Sequence, residues 1–199
     1  MKTISLWRSG LVVGAVLAAT ILVAQILFAQ EGSYPVVKEF DSGGRVEMNL
    51  ESGGYDVRPS ADNRIRVTWN QASARDVKIK LNTKGAVANL EVLNTPNNFR
   101  ATIEVPASAD LRIRLTAGAL TVGRIKGNKD IESNAGDVDI AVGDASEWSK
   151  ADASVRAGNL DARVFNVSKG GLFRSMNWSG PGKYKLQVHL LAGNLSLHK

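Results

Sequence analysis

The chain has 199 residues, of which 44% are hydrophobic and 22% are charged, and it contains no cysteine. This length supports one domain with a substantial core, and the lack of cysteine excludes disulfides, thiolate nucleophiles and cysteine-ligated metal sites. The formal net charge of +6 is mild, because Lys2 and Arg8 near the N-terminus contribute two of the positive charges. Such a charge permits contact with an anionic surface without indicating nucleic-acid binding.

The first 30 residues have the pattern of an export signal. Residues 1–10 carry Lys2 and Arg8 and no acidic residue, and residues 11–29 form an apolar run interrupted by only two polar residues. A basic head followed by a hydrophobic body is typical of a signal peptide, but this body is also long enough to span a bilayer. Residues 1–30 are therefore a cleaved signal peptide or a retained N-terminal membrane anchor. In either case the basic residues precede the apolar run, which places the rest of the chain outside the cytoplasm.

Residues 31–40 are predicted to form a short linker, and a single β-repeat domain is predicted over residues 41–199. Most of this domain alternates between apolar and polar residues, as half-buried strands do. The clearest alternating runs are 64–69, 76–81, 87–92, 101–105 and 183–190. No segment after the leader has the periodicity of a long amphipathic helix.

A glycine between two short alternating runs recurs along the domain. The repeat glycines are Gly53, Gly118, Gly136, Gly158 and Gly193. Apolar residues lie five and three positions before each glycine and two and four positions after it, with Ser133 as the one polar exception. Around Gly118 these residues are Ile113, Leu115, Leu120 and Val122.

The apolar offsets are odd before the glycine and even after it. A shift of one residue turns a strand inside out unless a bend absorbs the extra residue, and glycine permits such a bend because it tolerates positive φ. Each copy therefore predicts two strand segments that face one core across a glycine bend. The spacing of Gly118, Gly136 and Gly158 suits the coils of a β-solenoid or β-roll. A β-sandwich with glycine hairpins is the alternative all-β architecture.

Several segments follow one another in an order that resembles a known family. They are Ile103–Pro106, Leu111–Arg114, Gly118–Leu120 and Ser133–Val138. The resemblance is to the bacterial "putative adhesin" domain family of unknown function, in which a strand ending in Val-Pro precedes repeated glycine-centred strands. Residues 179–195 are similar to its closing repeat, so that the resemblance covers residues 37–199. It implies an all-β, solenoid-like exported domain of the bacterial envelope, and it offers no catalytic residues to carry over to this chain.

Residues suited to metal binding or catalysis are sparse. The two histidines, His189 and His198, lack a third ligand at metal spacing. Asp137 and Asp139 offer oxygen atoms of the kind calcium prefers, but they alternate with apolar residues and therefore predict a solvated strand face. No catalytic residue, cofactor site or metal site is predicted. Trp69, Trp148 and Trp178 are expected to pack in the core or in turns.

Basic residues occur in pairs with a period of two. They are Arg64 with Arg66, Lys78 with Lys80, and Arg112 with Arg114. Each pair projects from one face of its strand, and neighbouring strands would join the pairs into a cationic stripe that contacts phosphate-rich or acidic glycans. The arginines at 64, 66, 112 and 114 are therefore candidate polyanion contacts, and ordinary solvated strand faces are the alternative.

The sequence favours a non-catalytic, adhesin-like interaction module of the periplasm or cell envelope, with an unidentified surface ligand and no nucleic-acid partner. A retained leader would add attachment to the membrane. An enzyme acting on envelope polysaccharide is the second hypothesis, because Asp161 and Arg163 share a face beside Arg156. A polyanion-sensing accessory protein of envelope stress is the third.

Overall fold

The computed structural model describes residues 34–41, 43–70 and 76–199. The predicted leader over residues 1–30, with its hydrophobic helix, lies outside these residues. The described chain is all-β, as predicted, and its strands form one 13-stranded sheet. Its helical segments are single 3-10 turns at Ala145–Glu147 and Arg163–Phe165. Within the described ranges, no helix has the length and apolar character needed to cross a membrane.

The strands follow one another with short connections. They are β1 (Val36–Glu39), β2 (Arg45–Leu50), β3 (Gly53–Ser60), β4 (Arg64–Trp69), β5 (Lys78–Lys84), β6 (Val87–Leu93), β7 (Arg100–Pro106), β8 (Asp110–Val122), β9 (Lys129–Ala135), β10 (Val138–Ala141), β11 (Trp148–Ala162), β12 (Val167–Ser179) and β13 (Tyr184–His198). Every alternating run predicted from the sequence falls largely within one of these strands.

The end of the predicted linker belongs to the sheet. Strand β1 lies within residues 31–40 and pairs antiparallel with β4. Val36 is fully buried, and Phe40, directly after the strand, is 4% exposed. The linker prediction therefore does not hold for residues 36–40. The side chains of Val36 and Phe40 add to the core, and the backbone between them forms hydrogen bonds with β4.

The repeat glycines divide the sheet into two arms. Segments that precede the glycines pair in the order β5, β6, β2, β8, β9, β13, β11 and form the first arm. Segments that follow them pair in the order β1, β4, β7, β3, β8, β10, β13, β11 and form the second arm. Strand β12 pairs antiparallel with β11 along both arms and is the outermost strand on that side.

Both arms face one core. Every residue at the four repeat offsets is buried, including the polar exception Ser133, and the apolar ones belong to a single cluster. The tryptophan prediction is confirmed for Trp148, which is 2% exposed and donates its indole N–H to the carbonyl of Val142 at 3.0 Å. Trp178 packs against the same cluster and against Phe165, with the ring centroids 5.1 Å apart.

One cation is buried among the inward residues of the first arm. Lys129 is 2% exposed and lies in register between Leu111 and Leu186. Its ammonium group donates to the carbonyl of Ile125 at 2.6 Å and lies 4.9 Å from the ring centroid of Trp148. Burial lowers the pKa of Lys129 to about 8, because desolvation disfavours the charged form.

The repeats do not stack in sequence order. Strand β13 lies between β9 and β11 in the first arm, and between β10 and β11 in the second. A regular β-solenoid would instead place the repeat of Gly158 directly after that of Gly136. The reason lies in β12, which occupies the far side of β11, so that the chain returns to the near side as β13.

Candidate functional site

The five repeat glycines form a ladder across the corner between the two arms. Their order is Gly53, Gly118, Gly136, Gly193 and Gly158, and a β-carbon at each of the last four would lie 1.8–2.0 Å from the carbonyl oxygen of a neighbouring ladder glycine. These four residues also have φ angles between 118° and 137°. Glycine is therefore required both by the backbone conformation and by the close approach of the next strand. The ladder carries no side chain and serves as scaffold.

The candidate polyanion residues of β4 face carboxylates. Arg64 lies 3.6 Å from Glu39. Arg66 donates to Glu104 on the adjacent strand β7 and lies 3.4 Å from Asp62. The positive charges of this pair are therefore offset by three neighbouring carboxylates.

The candidate residues of β8 lie in the other arm. Arg112 and Arg114 lie 3.5 and 3.1 Å from Asp130 on β9, and Arg114 also lies 3.0 Å from Glu132. The structure thus does not bring the two arginine pairs together into one stripe. Each pair instead forms ion pairs across its own strand ladder, which is a common use of outward charges on a sheet.

The histidines and aspartates singled out in the sequence have local partners. His189 shares a hydrogen bond of 2.7 Å with the hydroxyl of Ser154, and His198 lies 3.2 Å from Asp139. Asp137 accepts two hydrogen bonds from Asn194. In the ranges the structure describes, no group of three histidine or acidic residues is placed to hold a metal ion.

Asp161 and Arg163, which motivated the enzyme hypothesis, form a two-point ion pair. The guanidinium donates to both carboxylate oxygens, at 2.9 and 2.7 Å. These hydrogen bonds lower the pKa of Asp161, because they favour its charged form. A general acid for glycoside cleavage needs a raised pKa instead, so that this pair is unsuited to that role.

An open cleft of about 420 Å³ lies in the second arm, where β4, β7, β3 and β8 are adjacent. Its floor is formed by Gly54 and Ala119, which are register partners. Larger residues at these two positions would fill the depression. The cleft therefore results from two small residues on neighbouring outward positions of the sheet.

The wall of the cleft is aromatic. Trp69, the last residue of β4, packs partly against the core and meets Tyr34 edge to face, with the ring centroids 5.0 Å apart. Tyr34 is 47% exposed. The expectation that Trp69 packs in the core is thus correct in part, because the residue packs against the core cluster and also lines the cleft.

A row of polar side chains crosses the cleft beside its floor. Strand register aligns Thr68, Thr102, Asp56 and Thr121 on four successive strands. The carboxylate of Asp56 accepts hydrogen bonds from Arg58. The row therefore offers three hydroxyl groups and one fixed carboxylate on a single outward face.

Arg100 provides the positive charge of the cleft. Its backbone N–H donates to the side-chain oxygen of Asn70 at 2.8 Å, and the exposed side chain extends past Gly54. Within the described chain, no carboxylate lies within 4 Å of its guanidinium group. Sequence reasoning missed Arg100 and Asp56, because only the pairing of distant strands places them in the same cleft as Trp69.

Comparison with known proteins gives limited likeness. No family model matches the chain, and none of the curated proteins matches it. Among solved structures, it resembles a "putative cell adhesion protein" from Clostridium sporogenes, with 13% identity, a TM-score of 0.46, and coverage of 82% of this chain and 99% of that one.

A second solved structure, a "putative adhesin" from Parabacteroides merdae, shows 12% identity and a TM-score of 0.28. The match covers 57% of this chain and 53% of the Parabacteroides protein, so that the present chain spans about half the length of that protein. At this degree of likeness neither structure indicates a function for the present chain.

Proposed function

We propose that the domain is a non-catalytic interaction module of the bacterial envelope that binds a saccharide in the Trp69 cleft. The observation that carries this proposal is the convergence of an aromatic wall, a row of hydroxyl groups and an arginine without a carboxylate partner. A sugar ring presents apolar C–H groups on its face and hydroxyl groups at its edge. The C–H groups suit an aromatic surface, and the hydroxyl groups suit the row of threonine and aspartate side chains.

Arg100 favours a sugar that bears a carboxylate. The four arginines first proposed as polyanion contacts are already paired with acidic residues of the chain. Arg100 is exposed and has no such partner among the described residues. A ligand carboxylate would therefore form a charge-assisted, two-point hydrogen bond there without displacing an existing ion pair.

Binding is favoured over turnover by the acids of the cleft. Most glycoside hydrolases use two carboxyl groups on either side of the bond that is cleaved. Among the described residues that line the cleft, Asp56 is the one carboxylic acid, and it is held by Arg58. This arrangement supports recognition of a sugar without chemistry on it.

The wider role that we propose rests on the predicted leader and on the outward faces of the domain. The basic and apolar pattern of residues 1–30 supports export, with attachment to the membrane if the leader is retained. The glycine ladder and the shared core of the two arms support a solenoid-like scaffold whose last two repeats are exchanged in order. Such a scaffold leaves the outward faces free to contact an envelope or surface ligand.

Calorimetric titration of the full chain with neutral and acidic oligosaccharides tests the proposal. We expect saturable binding, with at least about tenfold loss for Trp69→Ala. Arg100→Gln should weaken acidic sugars by about tenfold and leave neutral sugars unchanged. Arg163→Gln, which removes a charge outside the cleft, serves as the control. Binding that neither cleft variant alters would contradict the cleft assignment, and release of reducing ends would contradict a non-catalytic role.

A further inference from the structure

The outermost strand β12 exposes large apolar side chains. Leu172 and Phe173 are 63% and 73% exposed, and Leu191 on β13 is 51% exposed. Strands β12 and β13 lie near one end of the strand order, and β4 and the Trp69 cleft lie near the other end. Exposed apolar side chains that lie together are uncommon on soluble domains and mark contact surfaces.

Strand register brings Phe173 and Leu191 together near the glycine corner, and Leu172 directly precedes Phe173 in the chain. Ala157 on β11 pairs with Leu172 on one side and with Ala192 on the other, so that Leu191, Arg156 and Phe173 lie beside one another on three successive strands. The guanidinium of Arg156 lies 6.0 Å from the centroid of the Phe173 ring.

The backbone at Phe173 supports a role other than folding. Its φ angle of 54° lies in the left-handed region, which is unfavourable for a residue with a branched or bulky side chain. The ring nevertheless remains in solvent instead of gaining burial. Unfavourable backbone conformations of this kind are concentrated at functional sites.

The cations beside these apolar groups lack acidic partners. Lys169 donates to the carbonyl of Ser175 at 2.9 Å, and Arg174 donates to that of Gly170 at 2.6 Å. In the described ranges, neither of them nor Arg156 lies within 4 Å of a carboxylate. This corner therefore combines apolar groups with positive charges that the domain itself does not offset.

We propose that this corner inserts into the headgroup region of an anionic phospholipid bilayer. We call it the β12 ridge, and it consists of Arg156, Lys169, Leu172, Phe173, Arg174 and Leu191. Leucine and phenylalanine side chains reach the boundary between headgroups and acyl chains, where their burial is favourable. The cations meet lipid phosphates, and each contributes to attraction toward an anionic surface.

A second copy of the chain is a less suitable occupant. The ridge contains no carboxylate, so that contact between two ridges would place the cations of one copy against those of the other. Like charges that face each other directly would destabilise such pairing. An anionic bilayer instead supplies the missing negative charge together with an apolar layer.

A dye at the ridge tests this proposal in the full chain, where the leader itself is expected to reach membranes. The chain has no cysteine, so that Leu172→Cys gives a single site for an environment-sensitive fluorophore. Arg64→Cys is the matched control, because Arg64 lies on β4, near the other end of the strand order. Both labelled proteins are titrated with vesicles of phosphatidylcholine alone and of phosphatidylcholine mixed with phosphatidylglycerol.

We expect a blue shift and increased emission at position 172 on the mixed vesicles, and no change at position 64. Adding Arg156→Gln or Arg174→Gln should weaken the apparent vesicle affinity at the ridge by about fivefold for each arginine, and added salt should act in the same direction. The same response at both labelled sites, or none at position 172, would overturn the proposal. A response at position 172 that depends on protein concentration without vesicles would identify a second copy as the occupant instead.

Discussion

The stacked repeats and strand β12 use the same alternating pattern in different surroundings. In the repeats, all inward offsets are buried and the ladder glycines contact backbone on neighbouring strands. Strand β12 pairs along its whole length with β11 and places Gly171 opposite Gly158, yet Met176 is the one buried residue among its 13. A β-carbon at Gly171 would meet the side chain of Arg174, which can move.

This difference shows what fixes a residue in the fold. A repeat in the stack has a strand on each side, and its backbone cannot shift without displacing both neighbours. Strand β12 has a neighbour on one side only, so that its side chains are free to face solvent. The stack should therefore be intolerant of small changes, and the edge should tolerate large ones.

The largest expected effect is at the ladder. Gly193 lies between Gly136 and Gly158, and a β-carbon there would lie 1.8 Å from the carbonyl oxygen of Gly136 at a φ of 130°. Gly193→Ala should lower the free energy of unfolding by more than about 4 kcal/mol, because backbone clash and strained φ act together. Urea unfolding measures this loss.

Gly85→Ala is the matched control for that prediction. Gly85 also has a positive φ, of 56°, but nothing lies within 4 Å of the position of its β-carbon. Only the conformational penalty applies, so that we expect a loss of about 1 kcal/mol. Equal losses in Gly193→Ala and Gly85→Ala would show that the ladder imposes no steric requirement of its own.

The inward face of each repeat was predictable from the sequence. Ile113 and Leu115 before Gly118, and Leu120 and Val122 after it, are all buried. Alternation is a local property, and the change of phase at the glycine is visible in a single repeat. The all-β class and the positions of most strands follow from the same signal.

The order of the repeats was not predictable in this way. The pattern around Gly158 is equivalent to that around Gly193, and hydrophobic alternation does not distinguish which of them lies against Gly136. The antiparallel pairing of β12 with β11 decides the matter, since it occupies one side of β11. Local composition does not encode such a choice between equivalent long-range pairings.

The candidate cleft depends on register in the same way. Trp69 and Arg100 line the same cleft because β4 pairs with β7, which places Trp69 opposite Ala101, the residue after Arg100. The period-two spacing of Arg112 and Arg114 correctly indicated a shared outward face, but it gave no information about Asp130 on the next strand. Charge neutralisation across a ladder is a tertiary property that a single strand does not encode.

The buried cation Lys129 is expected to make the stability of the stacked repeats depend on pH. With a pKa of about 8 in the folded protein against 10.5 in an ordinary lysine, Lys129 is protonated in both states below pH 8, where its burial penalty is present in full. Between pH 8 and 10.5 the folded protein releases the proton and the unfolded chain keeps it, so that stability rises with pH. The rise attributable to Lys129 is up to about 3 kcal/mol.

Lys129→Met removes this titration. Urea unfolding of both proteins between pH 7 and pH 10 should show the wild type gaining stability relative to the variant as the pH increases. Burial raises the pKa of Tyr55, but that titration is common to both proteins and cancels in their difference. Parallel curves over this range would mean that Lys129 keeps an ordinary pKa and that the stack tolerates its charge.

The smallest expected effect is at the edge. Phe173→Asn replaces a ring that is 73% exposed with a residue that tolerates the left-handed region, so that the free energy of unfolding should be unchanged or higher by a few tenths of a kcal/mol. In the stack, Ile113→Ala should cost about 3 kcal/mol, because it leaves a cavity at a fully buried site. Chemical unfolding of both variants gives the contrast directly.

A large loss of stability in Phe173→Asn would mean that the ridge contributes to the core and that the two regions are not distinct. The expected neutral result has a further use, because the same variant should weaken insertion of the β12 ridge into phosphatidylglycerol-containing vesicles. A protein that keeps its stability and loses membrane contact would separate the two roles by a single side chain. The stacked repeats would then account for folding, and the edge strand for a contact that folding does not require.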